Sequence, residues 1–454
     1  MFAAKGPPTP SASGNAPAGT ANVGMAGGMM TGKQGVPLSV PLPFLLTGAW
    51  TAALFGLLLP WIVPEALLAP NFPHVLALVH IATLGWLTMT IMGASLQLVP
   101  VIIVGPLRAA RLLRWQYPLY ILSVALLVGG FWLMQPWLII LGGTGVILAV
   151  AHYVVVLGTT LAHAPKRPLT VRFLVASLVY LCTVVSLGLT AALNLQWGFL
   201  GAAFGRLLPI HITLGLAGWL SMTLVGVSYT LARMFSLAHG HDDRLGRVIF
   251  VLLNAGIVML ATGFLGSWLF LVLLGGTLLT GAVWLFAYDY WRLLRVRYRK
   301  SLDVTQYHAI AAVACFALLV PASLLVVAAG WTQPNVLAAL VLTALVGWLG
   351  QSMTGYLYKI VPFLVWQKRY GPLAGRQKVP LMREMLHERW AWISWWCINL
   401  GLVATLCAML LNITWLAQIT GGILGAGLVI AALNVSGVVS HLRLTRGGVL
   451  ETDR

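Results

Sequence analysis

Charge is what this sequence has least of. Only 8% of its 454 residues are Asp, Glu, Lys or Arg, against about 25% in an ordinary soluble domain, and a water-facing surface cannot be built from so few. A soluble globular protein is thereby excluded. Acidic residues are the rarest: Glu65, Asp242, Asp243, Asp289, Asp303, Glu384, Glu388, Glu451 and Asp453 are all there are, and each is expected at a helix end, a loop or a tail. A proton- or sodium-coupled transporter usually holds a carboxylate near the bilayer midplane, and none is expected there. Cysteine is scarce as well. Cys182, Cys315, Cys397 and Cys407 have no C-x-x-C spacing, so neither a disulfide framework nor an iron–sulfur site is indicated, and they read as small buried hydrophobes. The loop from Gly371 to Lys378 lacks the Gly-Lys-Ser/Thr ending of a phosphate loop.

What the chain does have is apolar length. Hydrophobic residues make up 60% of it and the mean hydropathy is +0.92. Uncharged apolar runs long enough to span a bilayer follow one another nearly to the end, and they lack the alternation of a membrane barrel. The reading is an all-α integral membrane protein of about twelve transmembrane helices. The spans are expected near 41–63, 75–103, 115–134, 137–161, 170–194, 207–235, 246–267, 268–292, 305–329, 335–364, 388–411 and 415–441. Residues 1–36, rich in Gly, Ala, Pro, Ser and Met, read as a disordered tail; its Met25, Met29 and Met30 follow from composition. Residues 37–445 form the membrane domain and 446–454 a second tail.

The loops sort by charge. Every Lys and Arg except Arg206 falls on one side of the expected topology, including the run from Arg292 to Lys300 and the loop from Lys359 to Arg389. That side is cytoplasmic by the positive-inside rule, which puts both termini in the cytoplasm of a prokaryotic inner membrane. The net charge of +18 is accounted for by this topology and implies no nucleic acid.

An internal repeat organises the spans. HIATLGWLTMTIMGASLQLVP from His80, HITLGLAGWLSMTLVGVSYTLARM from His211 and VLTALVGWLGQSMTGYLYKIVPF from Val341 superimpose on their Gly-Trp pairs. Gly85, Gly218 and Gly347 then coincide, as do Gly93, Gly226 and Gly355. A second echo links LGGTGVILAVAHY at Leu141, LLGGTLLTGAVW at Leu273 and ITGGILGAGLVI at Ile419. The chain is therefore three four-helix units, at about 37–165, 166–300 and 301–445, each with Gly-Trp on its second helix and Gly-Gly on its fourth. Small residues at such positions let helices approach closely.

This layout resembles subunit I of the heme-copper oxidase superfamily, whose twelve helices have pseudo-threefold symmetry. The local similarity is greatest in LQLVPVIIVGPLRAARLLRWQYPL, from Leu96, which is similar to the ending of that family's histidine-led second helix and the Gly/Arg loop after it. The resemblance implies a heme protein with His80 as the one ligand carried over. It also exposes departures. The sixth helix has His211-Ile-Thr-Leu in place of a copper motif, the seventh has no paired histidines, and Val341 to Phe363 contains none. The resemblance therefore implies neither the copper site nor the usual oxygen reduction. The superfamily also contains distant relatives such as the NnrS proteins, heme-containing membrane proteins linked to nitric oxide, and the chain is nearer to these.

On their own terms, His80 and His211 lie on repeat-equivalent helices in the outer part of the membrane, differing by about 3 Å in depth at the helical rise per residue. Neutral imidazole is the usual axial ligand of heme iron, and two of them on facing helices can clamp one heme b; each alone also reads as an interfacial histidine bonded to a carbonyl or headgroup. No C-x-x-C-H is present, so the heme is not covalently held. Arg206 is placed to bind a propionate or to be an ordinary loop arginine. His74 and His152 are further candidate metal ligands, against surface and packing roles, and Trp86 and Trp219 either line the cofactor or pack. His239-Gly-His241 is a weak divalent-ion candidate or a polar turn. The function expected is a heme b-binding membrane protein serving electron transfer or nitric oxide or oxygen chemistry, with a redox partner subunit. The alternatives are a small-molecule or metal transporter and a cofactor-free assembly protein.

Overall fold

The computed structural model describes residues 36–236, 242–298 and 301–443. The two expected tails, with Met25, Met29 and Met30, and the pair His239 and His241 lie outside the described residues. All regular structure among the described residues is helical.

Twelve helices among them are long and apolar enough to cross a membrane. They are α1 Pro41–Leu68, α2 Pro73–Ile103, α3 Ala110–Trp132, α4 Pro136–Ala162, α5 Leu169–Trp197, α6 Gly201–Ser236, α7 Arg244–Gly266, α8 Leu269–Arg295, α9 Val304–Ala328, α10 Pro334–Arg369, α11 Glu388–Leu410 and α12 Thr414–Ser440. The expected spans all correspond to one of these, and the chain is a multi-pass membrane protein whose outward faces meet lipid. Four helices open on a proline, at Pro41, Pro73, Pro136 and Pro334, where the missing N–H has no intrahelical partner to lose. Helices α8 and α10 run on past the expected spans to Arg295 and Arg369. Apolar length sets where a span leaves hydrocarbon, but backbone hydrogen bonding continues into the basic layer.

Within each unit the third and fourth helices pack as a pair: α3 on α4, α7 on α8 and α11 on α12. Their closest approaches are at glycine, where a Cβ on Gly142 would strike the Leu127 backbone and one on Gly401 the Leu424 backbone. The fourth helix of each unit then packs on the first helix of the next: α4 on α5, α8 on α9, and α12 back on α1. That last contact closes the ring, through a crossing of Gly56 and Gly425 in which neither tolerates a side chain. The second helices stand inside the ring. In α2, α6 and α10, 72%, 56% and 72% of the central span is buried, against at most 50% in any other helix.

These central helices share a feature that hydropathy does not reveal. Each changes from α to π geometry across its Gly-Trp pair, over Ile81–Thr88, Leu214–Ser221 and Thr343–Gly350. The three segments occupy the same register in the repeat. Wide i→i+5 turns of this kind are uncommon and cluster at functional sites. Here they bring the three tryptophans into one cyclic arrangement at the centre. Trp219 Nε1–H on α6 donates to Thr88 Oγ1 on α2 at 2.9 Å, and Trp348 Nε1–H on α10 donates to Ser221 Oγ on α6 at 2.9 Å. Thr88 and Ser221 are repeat-equivalent, and their counterpart on α10 is Gly350, which has no hydroxyl. The third bond is accordingly missing. Trp86 lies directly against Gly350, and its Nε1 has no hydrogen-bond partner among the described residues. Trp86 and Trp219 are parts of this core, 0% and 3% exposed.

Two expectations are corrected. The cysteines are not buried: Cys182 and Cys407 are exposed, and Cys315 and Cys397 are half-buried, because in a bilayer an outward helix face is as apolar as the core. Nor does every carboxylate stand at a helix end or in a loop. Asp289 lies inside α8, 1% exposed, accepting from Tyr229 Oη at 3.1 Å and Arg292 Nη1 at 3.4 Å. Its partners compensate the burial of charge.

Because Trp86 fills the space that a side chain on Gly350 would need, Gly350→Ala should lower the thermal unfolding temperature of the detergent-solubilised protein. Overpacking of this kind costs about 1–3 kcal/mol. An unchanged midpoint would mean that Trp86 is not held against Gly350.

Candidate functional site

His80 is the last residue of α2 before its wide turns, and His211 lies just before the equivalent turns of α6. The His80 ring stacks on Phe131 of α3, with centroids 5.0 Å apart and planes 23° apart. Its Nδ1–H donates to Leu76 O, one turn back in the same helix, at 2.7 Å. The His211 ring reaches across to α5, where its Nδ1–H donates to Val184 O at 3.1 Å. It rests on Gly188, where a Cβ would lie 3.0 Å from His211 Cε1. Glycine at this position makes room for the imidazole.

A backbone carbonyl only accepts, so both contacts require the proton on Nδ1 and leave Nε2 of each ring as a lone pair. This is the tautomer that a metal-ligating histidine needs, and a hydrogen bond at the far nitrogen is its usual support. Both rings are half-buried. The surroundings are open on one side. No residue of Phe204–Thr213, the first part of α6, is buried, although its counterparts on α2 and α10 include Val75, Ala77, Leu78, Asn335, Ala338 and Ala339, all covered. The N-terminal part of a central helix is thus left uncovered beside His211.

The other candidates are not brought to this pair. Arg206 Nη1 lies 3.5 Å from Leu265 O near the end of α7. His74 Nδ1 is 3.0 Å from both carboxylate oxygens of Glu65, and its ring lies against Trp132, centroids 5.0 Å apart. His152 is half-buried on α4, and its Nδ1 has no partner among the described residues. Among the described residues, no group of three or more His, Cys, Asp or Glu is placed to hold a metal ion. His80 and His211 thus present two nitrogen donors with no third His, Cys, Asp or Glu grouped with them among the described residues.

The sequence did not single out His308. It lies on α9, 0% exposed, against Gly355 of α10. The third unit thus gains a core histidine although its second helix carries none. In the other units Gly93 and Gly226 face Phe44 and Phe173 where Gly355 faces His308. A directed chain of hydrogen bonds orients it. Asn399 Nδ2–H donates to Trp395 O at 2.8 Å, Gln351 Nε2–H to Asn399 Oδ1 at 2.6 Å, and His308 Nδ1–H to Gln351 Oε1 at 2.5 Å. Since the chain ends on a carbonyl, each donor direction follows in turn. His308 Nε2 is left as a buried acceptor without a partner among the described residues.

Compared with known proteins, the sequence matches no protein-family model and no curated protein.

Gln351 stands where the other units have Met89 and Met222. His308→Phe should strand the Gln351 carbonyl and destabilise the protein by about 1–3 kcal/mol, the cost of an unsatisfied buried group. The double change His308→Phe with Gln351→Met reproduces what the other two units hold and should recover most of that loss. Thermal unfolding of wild type, both single variants and the double variant measures the coupling; additive losses would mean that the two side chains act independently.

Proposed function

We propose that this protein is a membrane-bound heme b protein in which His80 and His211 would hold the heme. The observation that carries the reading is that each imidazole spends its Nδ1–H on a backbone carbonyl and turns a free Nε2 lone pair to its surroundings. A core histidine need not satisfy that condition, and here it is met twice, on two repeat-equivalent helices. The uncovered N-terminal part of α6 supplies access.

Heme bound there supplies a one-electron couple whose potential is set by axial ligands, hydrogen bonding and burial. The chain's own residues supply the rest. Leu76 and Val184 carbonyls hold the tautomer and raise ligand basicity, Phe131 fixes the plane of His80, and Gly188 admits His211. Two imidazoles holding the group from the protein would suit electron transfer, and handling of a diatomic gas such as nitric oxide or oxygen would require one of the two to give way. Arg206 belongs to this reading only as a propionate partner after release from Leu265. A redox partner subunit follows from the electron-transfer role.

The closed ring of three four-helix units supports kinship with the heme-copper oxidase subunit I superfamily. Copper has no part in the proposal. The gathering of Lys and Arg on one side of the topology supports cytoplasmic termini and a histidine pair in the outer half of the membrane.

The test is the reduced-minus-oxidised spectrum, with pyridine hemochrome, of full-length protein made with ample heme. A low-spin heme b signature is expected. His80→Ala and His211→Ala should each abolish or shift it, and Gly188→Leu should shift it by displacing His211. No Soret band would overturn the cofactor reading, and bands unchanged in the histidine variants would move the site elsewhere.

A further inference from the structure

The three seams at which one unit meets the next are not alike. In each, a fourth helix lies on the first helix of the following unit. Between α8 and α9 the seam is bridged by Trp284, whose Nε1–H donates to Ala317 O at 3.0 Å. Between α12 and α1 it is bridged by Trp50, whose Nε1–H donates to Ser436 Oγ at 3.1 Å. Transferred through the repeat, the counterparts in the α4–α5 seam are Ala151 for Trp284 and Val179 for Trp50. Neither side chain is long enough to bridge, and a groove of about 480 Å³ remains.

Its walls are Val154, Gly158, Leu161, Val175 and Val179, and its one charged lining residue is Arg167. Nothing lies within 4 Å of where a Cβ on Gly158 would stand. Arg167 sits in the α4–α5 loop on the basic side, its Nη2–H donating to Ala162 O at 2.7 Å. That bond holds the guanidinium at the mouth. Lys166 and Arg172, both exposed, add positive charge beside it, and no acidic residue lines the groove. The loop itself is pinned, Lys166 N–H donating to Ile103 O at 3.3 Å.

We propose that the α4–α5 seam binds one anionic phospholipid, an acyl chain lying in the groove and the phosphate meeting Arg167. The order of chemistry along the seam, hydrocarbon in the span and a planar multidentate donor at the headgroup layer, is that of a lipid. A transmembrane helix about 10 Å across with its side chains is too wide for so small a trough, whereas an acyl chain enters it. This site is separate from His80 and His211 and does not depend on the heme reading.

Native mass spectrometry of the full chain in detergent tests it, with phosphatidylglycerol and phosphatidylcholine of the same acyl chains offered at equal concentration. Wild type should retain phosphatidylglycerol preferentially. Arg167→Gln should reduce that retention about fivefold, the factor carried by one juxtamembrane basic residue, with phosphatidylcholine unaffected. Gly158→Trp, or Val179→Trp, which installs the bridging residue of α1, should remove retention of both lipids. Unfolding midpoints at the wild-type value establish that these outward-facing variants fold. Equal retention of the two lipids by wild type, or retention unaltered in all three variants, would overturn the proposal. So would a bound protein mass that phosphatidylglycerol does not displace.

Discussion

Everything in this molecule depends on helix backbones coming close together in an environment where hydrophobicity gives them no reason to. In lipid an apolar side chain gains nothing by facing a neighbouring helix, so association rests on dispersion, which acts only at contact, and on hydrogen bonds across helices. Glycine supplies the contact. Gly142, Gly256, Gly275 and Gly401 let paired helices meet backbone to backbone, and Gly56 with Gly425 closes the twelve-helix ring on itself. The tryptophans at the centre are the other half of the device. Each is a large packing body with one polar atom, and two of the three spend that atom on the neighbouring unit.

The threefold repeat accounts for packing, and chemistry enters where the copies part company. His80 stands where the other units have Thr213 and Leu342, and His211 where they have Leu78 and Leu340. His308 replaces Phe44 and Phe173, Gln351 replaces Met89 and Met222, and Gly350 replaces Thr88 and Ser221. Each replacement alters a hydrogen-bond inventory inside a frame that the other residues hold constant. A free imidazole nitrogen at the centre of a bundle is costly. It is tolerated at His308 by an oriented amide chain and at His80 and His211 by partial exposure. The same logic extends outward, where loss of a bridging tryptophan leaves a groove between α4 and α5.

How much of this was legible beforehand follows the range of the forces involved. The twelve spans could be read from the line of residues because exclusion of charge from hydrocarbon acts one segment at a time. Gly-Trp and Gly-Gly recur at matching separations and can be read as an internal repeat without any structure. His80 and His211 stand out along the chain as two imidazoles on repeat-equivalent helices in a sequence with ten histidines. His308 does not stand out, because nothing local to it reports Gln351, which another helix supplies.

The sequence by itself determined a membrane protein of about twelve spans, a threefold internal repeat and one basic side. Those are consequences of solvent and of repetition, and they need no knowledge of neighbours. Tertiary structure alone decided that the central helices widen at Gly-Trp and that Trp86 lies on Gly350. It decided as well that His80 and His211 give up Nδ1 to carbonyls, Arg206 turns to α7, and Asp289 is enclosed by Tyr229 and Arg292. Each of these is a contact between side chains and backbone that meet only when the ring closes. Tautomer, burial and pairing are properties of such contacts, and the order of residues along the chain does not contain them.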